Sequence, residues 1–275
     1  METVLTIAGF DPSSGAGITA DLAVFAAHEL FGTACITALT VQSTLGVESA
    51  HAVEPAIVKS TLECLVHDLP PRGVKIGMIG DKSNILVISN FIRIMKELPL
   101  SIPIVLDPVF RSSSGHGLVD EAALAALRKE LMPLATWITP NVPELAVLSG
   151  FSIANKTELE VAARSLQEEV SIAGSEGRLG ILAKGGHLEE PDDLVLMPDG
   201  SSCWLAGKRI ETSSTHGTGC ALASAFLSRL VLGDAPLDAA QKAKEYVAGA
   251  LRKAPGLGHG RGPLNLMWAG IPGAE

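Results

Sequence analysis

The fold is decided by the stretch Val4-Leu5-Thr6-Ile7-Ala8, together with the loop 9–17 and the segment 18–30 that follow it in the sequence. The first five residues are mostly apolar and predict a buried strand, while the segment from Ile18 to about Leu30 repeats its apolar residues with a helical period. A second run, Ala34-Cys35-Ile36-Thr37-Ala38-Leu39-Thr40-Val41, predicts a strand covered on both faces. Strand, helix and strand in this order indicate an α/β fold with a parallel sheet.

Strand and helix patterns continue to alternate along the chain. Further short strands are predicted to begin at Val74, Ile104, Trp137 and Gly180. Between Asp193 and Ile210 the pattern changes to strand, Pro198-Asp199-Gly200 turn and strand, which predicts a hairpin near the sheet edge. No linker, repeat or compositional break interrupts the chain. We therefore expect residues 1–275 to form a single three-layer α/β domain, with a central, mostly parallel sheet flanked by helices.

Two helix starts carry capping signals. Thr157-Glu158-Leu159-Glu160 has the form of a capping box, and Asp120 is expected to cap a helical segment that runs to Leu131.

Composition and charge exclude several classes of protein. The formal net charge of −9 argues against a general nucleic-acid surface, and no apolar run approaches the length of a membrane span. The first basic residue is Lys59, so we expect neither a secretory signal nor a transit peptide, and we expect a cytoplasmic protein. The four cysteines are too scattered to indicate a zinc site or a disulfide framework. The partner is expected to be a small molecule.

The hexapeptide Thr215-His216-Gly217-Thr218-Gly219-Cys220 leads directly into an apolar helical run. Two glycines allow successive backbone N–H groups to point at one spot, and the start of the helix adds partial positive charge, which together favour a bound phosphate. The same field should lower the pKa of the Cys220 thiol and make it a base near neutral pH. A simple turn with an inert buried cysteine explains the same residues.

Polar side chains follow several predicted strands, where ligands of parallel sheets bind. They are Gln42, Asp107, Asn141 with Glu144, and Lys184. Each also has an ordinary structural explanation, as a solvated strand end, a turn cap or a first-turn acid. Together they supply what phosphoryl transfer requires: carboxylates for Mg²⁺, a lysine for phosphate oxygens and a base.

A dinucleotide site is the first alternative, because Gly15-Ala16-Gly17-Ile18-Thr19-Ala20 matches the pattern G-x-G-x-x-A. The loop before it is too long for that fingerprint, and the second strand ends in Gln42 rather than an acidic residue. Gln42 offers a donor and acceptors, as a flat heteroaromatic ring requires.

In order and number, the motifs resemble those of the hydroxymethylpyrimidine/phosphomethylpyrimidine kinases of thiamine biosynthesis, which have a ribokinase-like fold. The resemblance spans nearly the whole chain, and Cys220 stands where most ribokinase-like enzymes carry aspartate. The motifs are Gly9-Phe10-Asp11-Pro12-Ser13-Ser14-Gly15-Ala16-Gly17 with Ala20-Asp21, Lys75-Ile76-Gly77-Met78, Thr139-Pro140-Asn141-Val142-Pro143-Glu144, Lys184-Gly185-Gly186-His187, the hexapeptide 215–220 and Gly258-His259-Gly260-Arg261-Gly262-Pro263.

The resemblance implies that ATP with Mg²⁺ phosphorylates 4-amino-5-hydroxymethyl-2-methylpyrimidine and then its monophosphate. The implied catalytic residues are Cys220 as base, the amides of Gly217, Thr218 and Gly219, and Lys184. Those implied to bind the nucleotide are Lys184, Thr215, Gly217, Gly219 and Asn141, and those implied to hold the metal are Asp107 and Glu144. The pyrimidine would be contacted by Gln42, Asp21, Gly9, Ala16, Met78 and Val109.

Two alternatives to this function stay open. Relatives of the family phosphorylate pyridoxal or pyridoxine, whose ring also bears a hydroxymethyl group. The loop after Asp107, residues 108–116 with its Phe110-Arg111 pair, does not decide between the acceptors. A non-catalytic pyrimidine-binding protein would keep the fold without needing Lys184, Asn141, Glu144 and Cys220. The resemblance also implies a homodimer.

Overall fold

The computed structural model describes residues 1–97, 102–110, 117, 120–172 and 178–269. The strands of this part of the chain are β1 (Thr3–Phe10), β2 (Phe31–Ser43), β3 (Gly46–Ala52), β4 (Val74–Ile76), β5 (Ile104–Leu106), β6 (Trp137–Ile138), β7 (Gly180–Ala183), β8 (Asp193–Leu196) and β9 (Ser202–Leu205). The helices are α1 (Gly17–Ala27), α2 (Pro55–Asp68), α3 (Lys82–Glu97), α4 (Glu121–Ala126), α5 (Val142–Ser149), α6 (Lys156–Ile172), α7 (Thr218–Val231) and α8 (Pro236–Arg252).

The described strands form one sheet in the order β3-β2-β1-β4-β5-β6-β7-β8-β9. The six strands from β2 to β7 in this order pair in parallel, whereas β3, β8 and β9 are antiparallel to their neighbours. This confirms the predicted α/β fold, and β8 with β9 is the predicted edge hairpin. A second hairpin, β2 with β3, closes the opposite edge and was not expected from the sequence.

Helices cover both faces of the sheet, as predicted. One face packs against α1, α7 and α8, and the other against α2 to α6. The alternation of side chains along β5 shows the division: Val105 belongs to the first core, while Ile104 and Leu106 belong to the second. Because both faces of β5 are buried, this strand is apolar throughout.

The second strand departs from its prediction. The expected burial holds for Cys35, Thr37 and Ala38, but Leu39 is 49% exposed and Val41 is 50% exposed. The strand extends beyond the helical layers to Ser43, where it pairs with β3. The prediction of a strand from this apolar composition was therefore correct, whereas the prediction that helices cover both of its faces along the whole strand was wrong.

The structure shows which residues cap the two helices whose starts were predicted from the sequence. Asp120 caps α4 as predicted, accepting a hydrogen bond from the Ala123 backbone, and a π-helical turn, residues 127–131, follows this helix. The cap of α6 is Asn155, which accepts from the Glu158 backbone, and not the predicted Thr157. Among the described helices, none is long and apolar enough to cross a lipid bilayer.

The strand order reverses direction at β1, which has β2 on one side and β4 on the other. A reversal of this kind opens a crevice beyond the carboxyl ends of the strands, because the loops on its two sides lead away from each other. All the strand-end residues singled out in the sequence lie at this edge. The loop after β1 and the start of α7 meet over the crevice.

Candidate active site

A cavity of about 530 Å³ lies at the carboxyl ends of the parallel strands, within the size range of small-ligand sites. With one exception, every site residue predicted from the sequence lines this cavity. The lining set includes Gly9, Ala16, Gln42, Met78, Asp107, Val109, Asn141, Glu144, Lys184, Thr215, Gly217, Thr218, Gly219 and Cys220.

The exception is Asp21, which the structure places beneath the cavity rather than on its wall. Its carboxylate is fully buried and accepts hydrogen bonds from Lys75, Thr6 and Ser224. A direct contact between Asp21 and a substrate does not fit this position, because neighbouring side chains already surround and occupy the carboxylate. Asp21 instead neutralises the fully buried ammonium of Lys75, which does reach the cavity.

The glycine turn before α7 has the geometry of an anion site. Gly217 adopts a left-handed conformation, with φ of 81°, immediately before the first helical residue. A Cβ atom at Gly217 would lie 1.8 Å from the carbonyl oxygen of Gly15, so only glycine permits the turn to pack on the first loop. The N–H groups of the first helical turn have no partner within the helix and lie at the cavity wall.

Cys220 lies in the first turn of α7, with a half-buried thiol that receives a hydrogen bond from the Gly17 backbone. Burial raises the pKa of this thiol to about 11; the Lys75 ammonium opposes the increase, while Asp107 and Asp21 add to it. The lowered pKa predicted from the helix start is therefore wrong. Desolvation and the carboxylates of Asp107, after β5, and Asp21, in α1, outweigh the Lys75 ammonium and the hydrogen bond from Gly17.

Lys184 follows β7 and joins two acidic residues. Its Nζ atom donates to Asp107 Oδ1 at 2.9 Å and lies 3.8 Å from Glu144 Oε2. Burial favours the neutral amine, but Asp107 and Glu144 outweigh it and raise the pKa of Lys184. A Cβ atom at Gly219 would lie 3.1 Å from Lys184 Nζ, so the missing side chain leaves the ammonium next to the anion-binding turn.

Glu144 forms two hydrogen bonds with Asn141 in addition to its contact with Lys184. Its side chain accepts from the Asn141 backbone while Asn141 Oδ1 accepts from the Glu144 backbone, which forms a capping box at the start of α5. Burial raises the pKa of Glu144 to about 7, Lys184 opposes this increase and Asp107 contributes to it. The carboxyl group therefore changes its charge near neutral pH.

The acidic residues fit a magnesium ion of the kind that bridges nucleotide phosphates. No group of three or more His, Cys, Asp or Glu side chains in the described residues forms a protein cage for a metal. Asp107 and Glu144 nevertheless share one cavity wall, and Mg²⁺ is usually held by one or two carboxylates, substrate phosphates and water. The carboxylate oxygens of Asp107 and Glu144 are therefore the ligands that this wall of the cavity offers to the ion.

Gln42 lies at the end of β2 and contacts the ring of His216, whose Nε2 atom is 2.9 Å from the Gln42 amide. His216 also contacts Asp11, with 2.7 Å between Nε2 and Oδ2. The three side chains connect β2, the first loop and the glycine turn. Hydrophobic side chains, including Met78 and Val109, line other parts of the cavity.

Sequence reasoning gave no role to Asp11, Lys75, His216 or Arg261, although all four line the cavity. Each lies within one of the sequence motifs quoted above, so its position in a motif was the signal that pointed to the site. Arg261 is held near the site because its backbone donates to the Thr44 carbonyl at 2.9 Å. In the loop after Asp107, Phe110 lines the cavity, and residues 111–116 lie outside the described part of the chain.

Comparison with known proteins matches this geometry. The family model for phosphomethylpyrimidine kinase covers residues 11–265. A hydroxymethylpyrimidine/phosphomethylpyrimidine kinase from Synechococcus elongatus is 42% identical over 266 residues, which span 96% of this chain and 97% of the relative.

Solved structures of two kinds of kinase share this fold. Phosphomethylpyrimidine kinase from Clostridium difficile is 35% identical, with a TM-score of 0.75 over 90% of this chain and 98% of that one. Pyridoxal kinase from Staphylococcus aureus, in complex with AMP-PCP and pyridoxal, is 26% identical, with a TM-score of 0.82 over 98% and 95% of the two chains. With nearly its whole length matched and its glycine turn, cysteine and lysine gathered in one cavity, the chain belongs to the phosphomethylpyrimidine kinase family.

Proposed function

We propose that this protein, acting as one kinase domain, transfers the γ-phosphoryl group of ATP to 4-amino-5-hydroxymethyl-2-methylpyrimidine. It then phosphorylates the monophosphate to the diphosphate used in thiamine biosynthesis. One observation carries the proposal: Cys220, the anion-binding turn and Lys184 lie in the same cavity as Gln42. A ring-binding residue and phosphoryl-transfer groups therefore face one small space.

The pyrimidine binds at the end of the cavity formed by β1, β2 and the residues after β4 and β5. Gln42 forms hydrogen bonds with the ring, and Met78 and Val109 pack against it. Gly9 and Ala16 leave room for the ring beside the first loop. A flat heteroaromatic ring with polar edges needs this combination of apolar walls and few, fixed polar groups.

In the reaction, the thiolate of Cys220 accepts the proton of the substrate hydroxymethyl group while the hydroxymethyl oxygen attacks the γ-phosphorus, the bond between the γ-phosphorus and the bridging oxygen breaks, and ADP leaves. The backbone N–H groups of residues 217–220 stabilise the negative charge on the transferring group. Lys184 binds phosphate oxygens from the other side, and Thr215 and Asn141 contact the nucleotide. Positioned donors of this kind supply much of the catalysis in phosphoryl transfer.

Asp107 and Glu144 would hold Mg²⁺ through direct contacts or through water, and the bound ion would supply positive charge to the nucleotide phosphates. Lys184 lies between the two carboxylates and keeps their charge balanced before the nucleotide arrives.

Pyridoxal kinase is the second candidate function. The specific observation in its favour is the 0.82 TM-score to a pyridoxal kinase holding pyridoxal and an ATP analogue. The cavity accommodates either ring by size. Family membership and the donor and acceptor character of Gln42 favour the aminopyrimidine.

We also expect a cytoplasmic homodimer that binds neither nucleic acid nor membranes. The exposed apolar side chains of the β2–β3 hairpin support self-association, because Leu39, Val41 and Leu45 are 49%, 50% and 73% exposed. Sedimentation equilibrium tests this expectation by giving the mass of the particle. A monomer at micromolar concentration would contradict it.

Mass spectrometry of the products tests the proposed function. The protein is incubated with Mg²⁺-ATP and the aminopyrimidine, and samples are taken over time. We expect the monophosphate to appear first and the diphosphate to follow it. The absence of any phosphorylated pyrimidine would contradict the proposal, and a Cys220→Ala sample controls for contaminating kinases.

A further inference from the structure

Two side chains meet the same nitrogen atom at the cavity wall. Nε2 of His216 lies 2.7 Å from Asp11 Oδ2 and 2.9 Å from the atom placed as the Gln42 amide nitrogen. The side chains of His216 and Asp11 are only 8% and 4% exposed, so water does not compete strongly for these contacts. The hydrogen-bonding roles of the three groups must therefore be mutually consistent.

Asp11 fixes the role of the histidine nitrogen. Oδ1 accepts from the backbone and hydroxyl of Ser13, and Oδ2 accepts from the Ala16 backbone. Burial raises the pKa of Asp11, but these hydrogen bonds and the one from His216 outweigh it and keep the carboxyl group ionised. A carboxylate can only accept hydrogen bonds, so Nε2 of His216 carries a hydrogen.

The histidine in turn fixes the amide of Gln42. A protonated Nε2 cannot accept a hydrogen bond from an amide N–H group, and two donors would face each other at 2.9 Å. The oxygen and nitrogen of a glutamine side chain exchange places by a rotation of 180°, and their assignment follows from their partners. The Gln42 oxygen therefore belongs beside His216, where it shares the Nε2 hydrogen with Asp11.

We propose that Asp11 and His216 are positioning residues that hold the Gln42 carbonyl towards His216 and leave its NH₂ group for the ligand. The inference rests on the proposed function, since it specifies which edge of the substrate Gln42 recognises. With this orientation, Gln42 donates through NH₂ and accepts through the second lone pair of its oxygen.

The ligand edge that fits this amide is a ring nitrogen beside an exocyclic amino group. Glutamine recognises the same kind of edge on adenine, by donating to the ring nitrogen and accepting from the amino group. The 4-aminopyrimidine has this edge. Pyridoxal has no amino group to donate to the Gln42 oxygen, so the orientation of one amide discriminates between the two candidate acceptors.

Calorimetric titration with two pyrimidines tests the proposal through binding alone. One is the aminopyrimidine, and the other is its 4-oxo analogue, whose ring N–H donates and whose carbonyl oxygen accepts, so that its edge has the reverse hydrogen-bonding pattern. We expect the wild-type protein to prefer the amino compound by about tenfold or more. In His216→Phe, which removes the Nε2–H donor, this preference should shrink to about threefold or less, since a free amide rotates to suit either ligand.

The double variant Gln42→Ala/His216→Phe distinguishes positioning from general damage. If His216 acts through Gln42, the double variant binds the aminopyrimidine no more weakly than Gln42→Ala alone. Multiplied losses, or an equal loss for both pyrimidines in His216→Phe, would overturn the proposal. His187→Phe is the matched control, because His187 also lines the cavity and its replacement should leave the preference for the amino group in place.

A second measurement needs no variant. Nitrogen-15 NMR of protein labelled in histidine reports whether Nε2 of His216 carries a hydrogen, and the proposal requires that it does at neutral pH. An unprotonated Nε2 would overturn it. A protein that phosphorylates the pyrimidine but binds both pyrimidines equally would refute the positioning role alone, whereas one that neither binds nor phosphorylates the pyrimidine would refute the proposed function.

Discussion

At the scale of single residues, the proposed chemistry depends on Cys220. Replacing it with alanine removes the base but leaves the backbone N–H groups of the turn in place. General base catalysis is typically worth ~10²–10⁴-fold, so we expect Cys220→Ala to lose about this factor in kcat/KM. A steady-state assay of ADP release measures the loss, and an unchanged melting temperature shows that the variant is folded.

The same prediction has a pH dependence. Because the pKa of Cys220 is raised to about 11, the thiolate fraction increases with pH throughout the range 7–9. We expect kcat/KM of the wild-type protein to rise across this range, and the Cys220→Ala profile to lack this increase. Near wild-type turnover in Cys220→Ala, or a rising profile that survives the substitution, would contradict the assignment of the base.

Glu144 gives a second residue-scale prediction. Its pKa of about 7 means that the carboxyl group loses its charge as the pH falls from 8 to 6. A protonated carboxyl group binds Mg²⁺ poorly, so we expect KM for Mg²⁺-ATP to increase over this range. Kinetics of Glu144→Gln supply the control, since this variant should show a raised KM that varies little with pH.

Residue types and motif positions predicted site residues that, with the exception of Asp21, all line the cavity, but they did not predict electrostatics. The pKa of Cys220 depends on Lys75, Asp107 and Asp21, which come from β4, the end of β5 and α1. The sequence of the glycine turn indicates the electric field at the start of the helix, but it gives no information about these three neighbours. The role of Asp21 was misjudged for the same reason, since its partner Lys75 is distant in sequence.

At the scale of elements, two helices begin with an asparagine cap, and only one of these caps faces the cavity. Asn141 caps α5 at the site, and Asn155 caps α6 elsewhere. We expect either substitution by alanine to lower the free energy of unfolding by about 1 kcal/mol, as measured by urea denaturation. Only Asn141→Ala should also raise KM for ATP. An equal effect of both variants on KM would argue against a nucleotide contact by Asn141.

The ion pair between α1 and β4 gives another element-scale prediction. Lys75 and Asp21 are both fully buried, with 2.8 Å between Nζ and Oδ2. Lys75→Met leaves a buried carboxylate without its cation, and we expect a loss of ~3–5 kcal/mol in the free energy of unfolding. Lys75→Met/Asp21→Leu should recover part of this loss in the same denaturation experiment. A single variant as stable as the wild type would contradict the account of this pair.

The elements themselves could be predicted where the hydrophobic pattern was strong. The apolar central strands and the hairpin at Pro198–Gly200 were found because burial on both faces and turn residues leave clear patterns. The strand β3, Gly46–Ala52, was missed because it is polar, largely exposed and held by β2 alone. Its pairing is a tertiary contact that no local pattern in this segment announces.

At the scale of the whole molecule, the sheet brings residues from both ends of the chain to one crevice. His216 donates its backbone N–H to Gly262, and the loop containing Gly262 also contacts Thr44 through Arg261. The cavity therefore forms only when the chain is folded from the first strand to the last loop. Gln42 and Lys184 both line it, and in the proposed function Gln42 binds the ring while Lys184 binds phosphate.

A competition experiment tests this arrangement most directly. The protein is incubated with Mg²⁺-ATP and an equimolar mixture of the aminopyrimidine and pyridoxal, and mass spectrometry follows the initial rate of each product, which gives the ratio of the two kcat/KM values. We predict that phosphorylated aminopyrimidine, as monophosphate and then diphosphate, forms in clear excess. Pyridoxal phosphate as the main product would contradict the account.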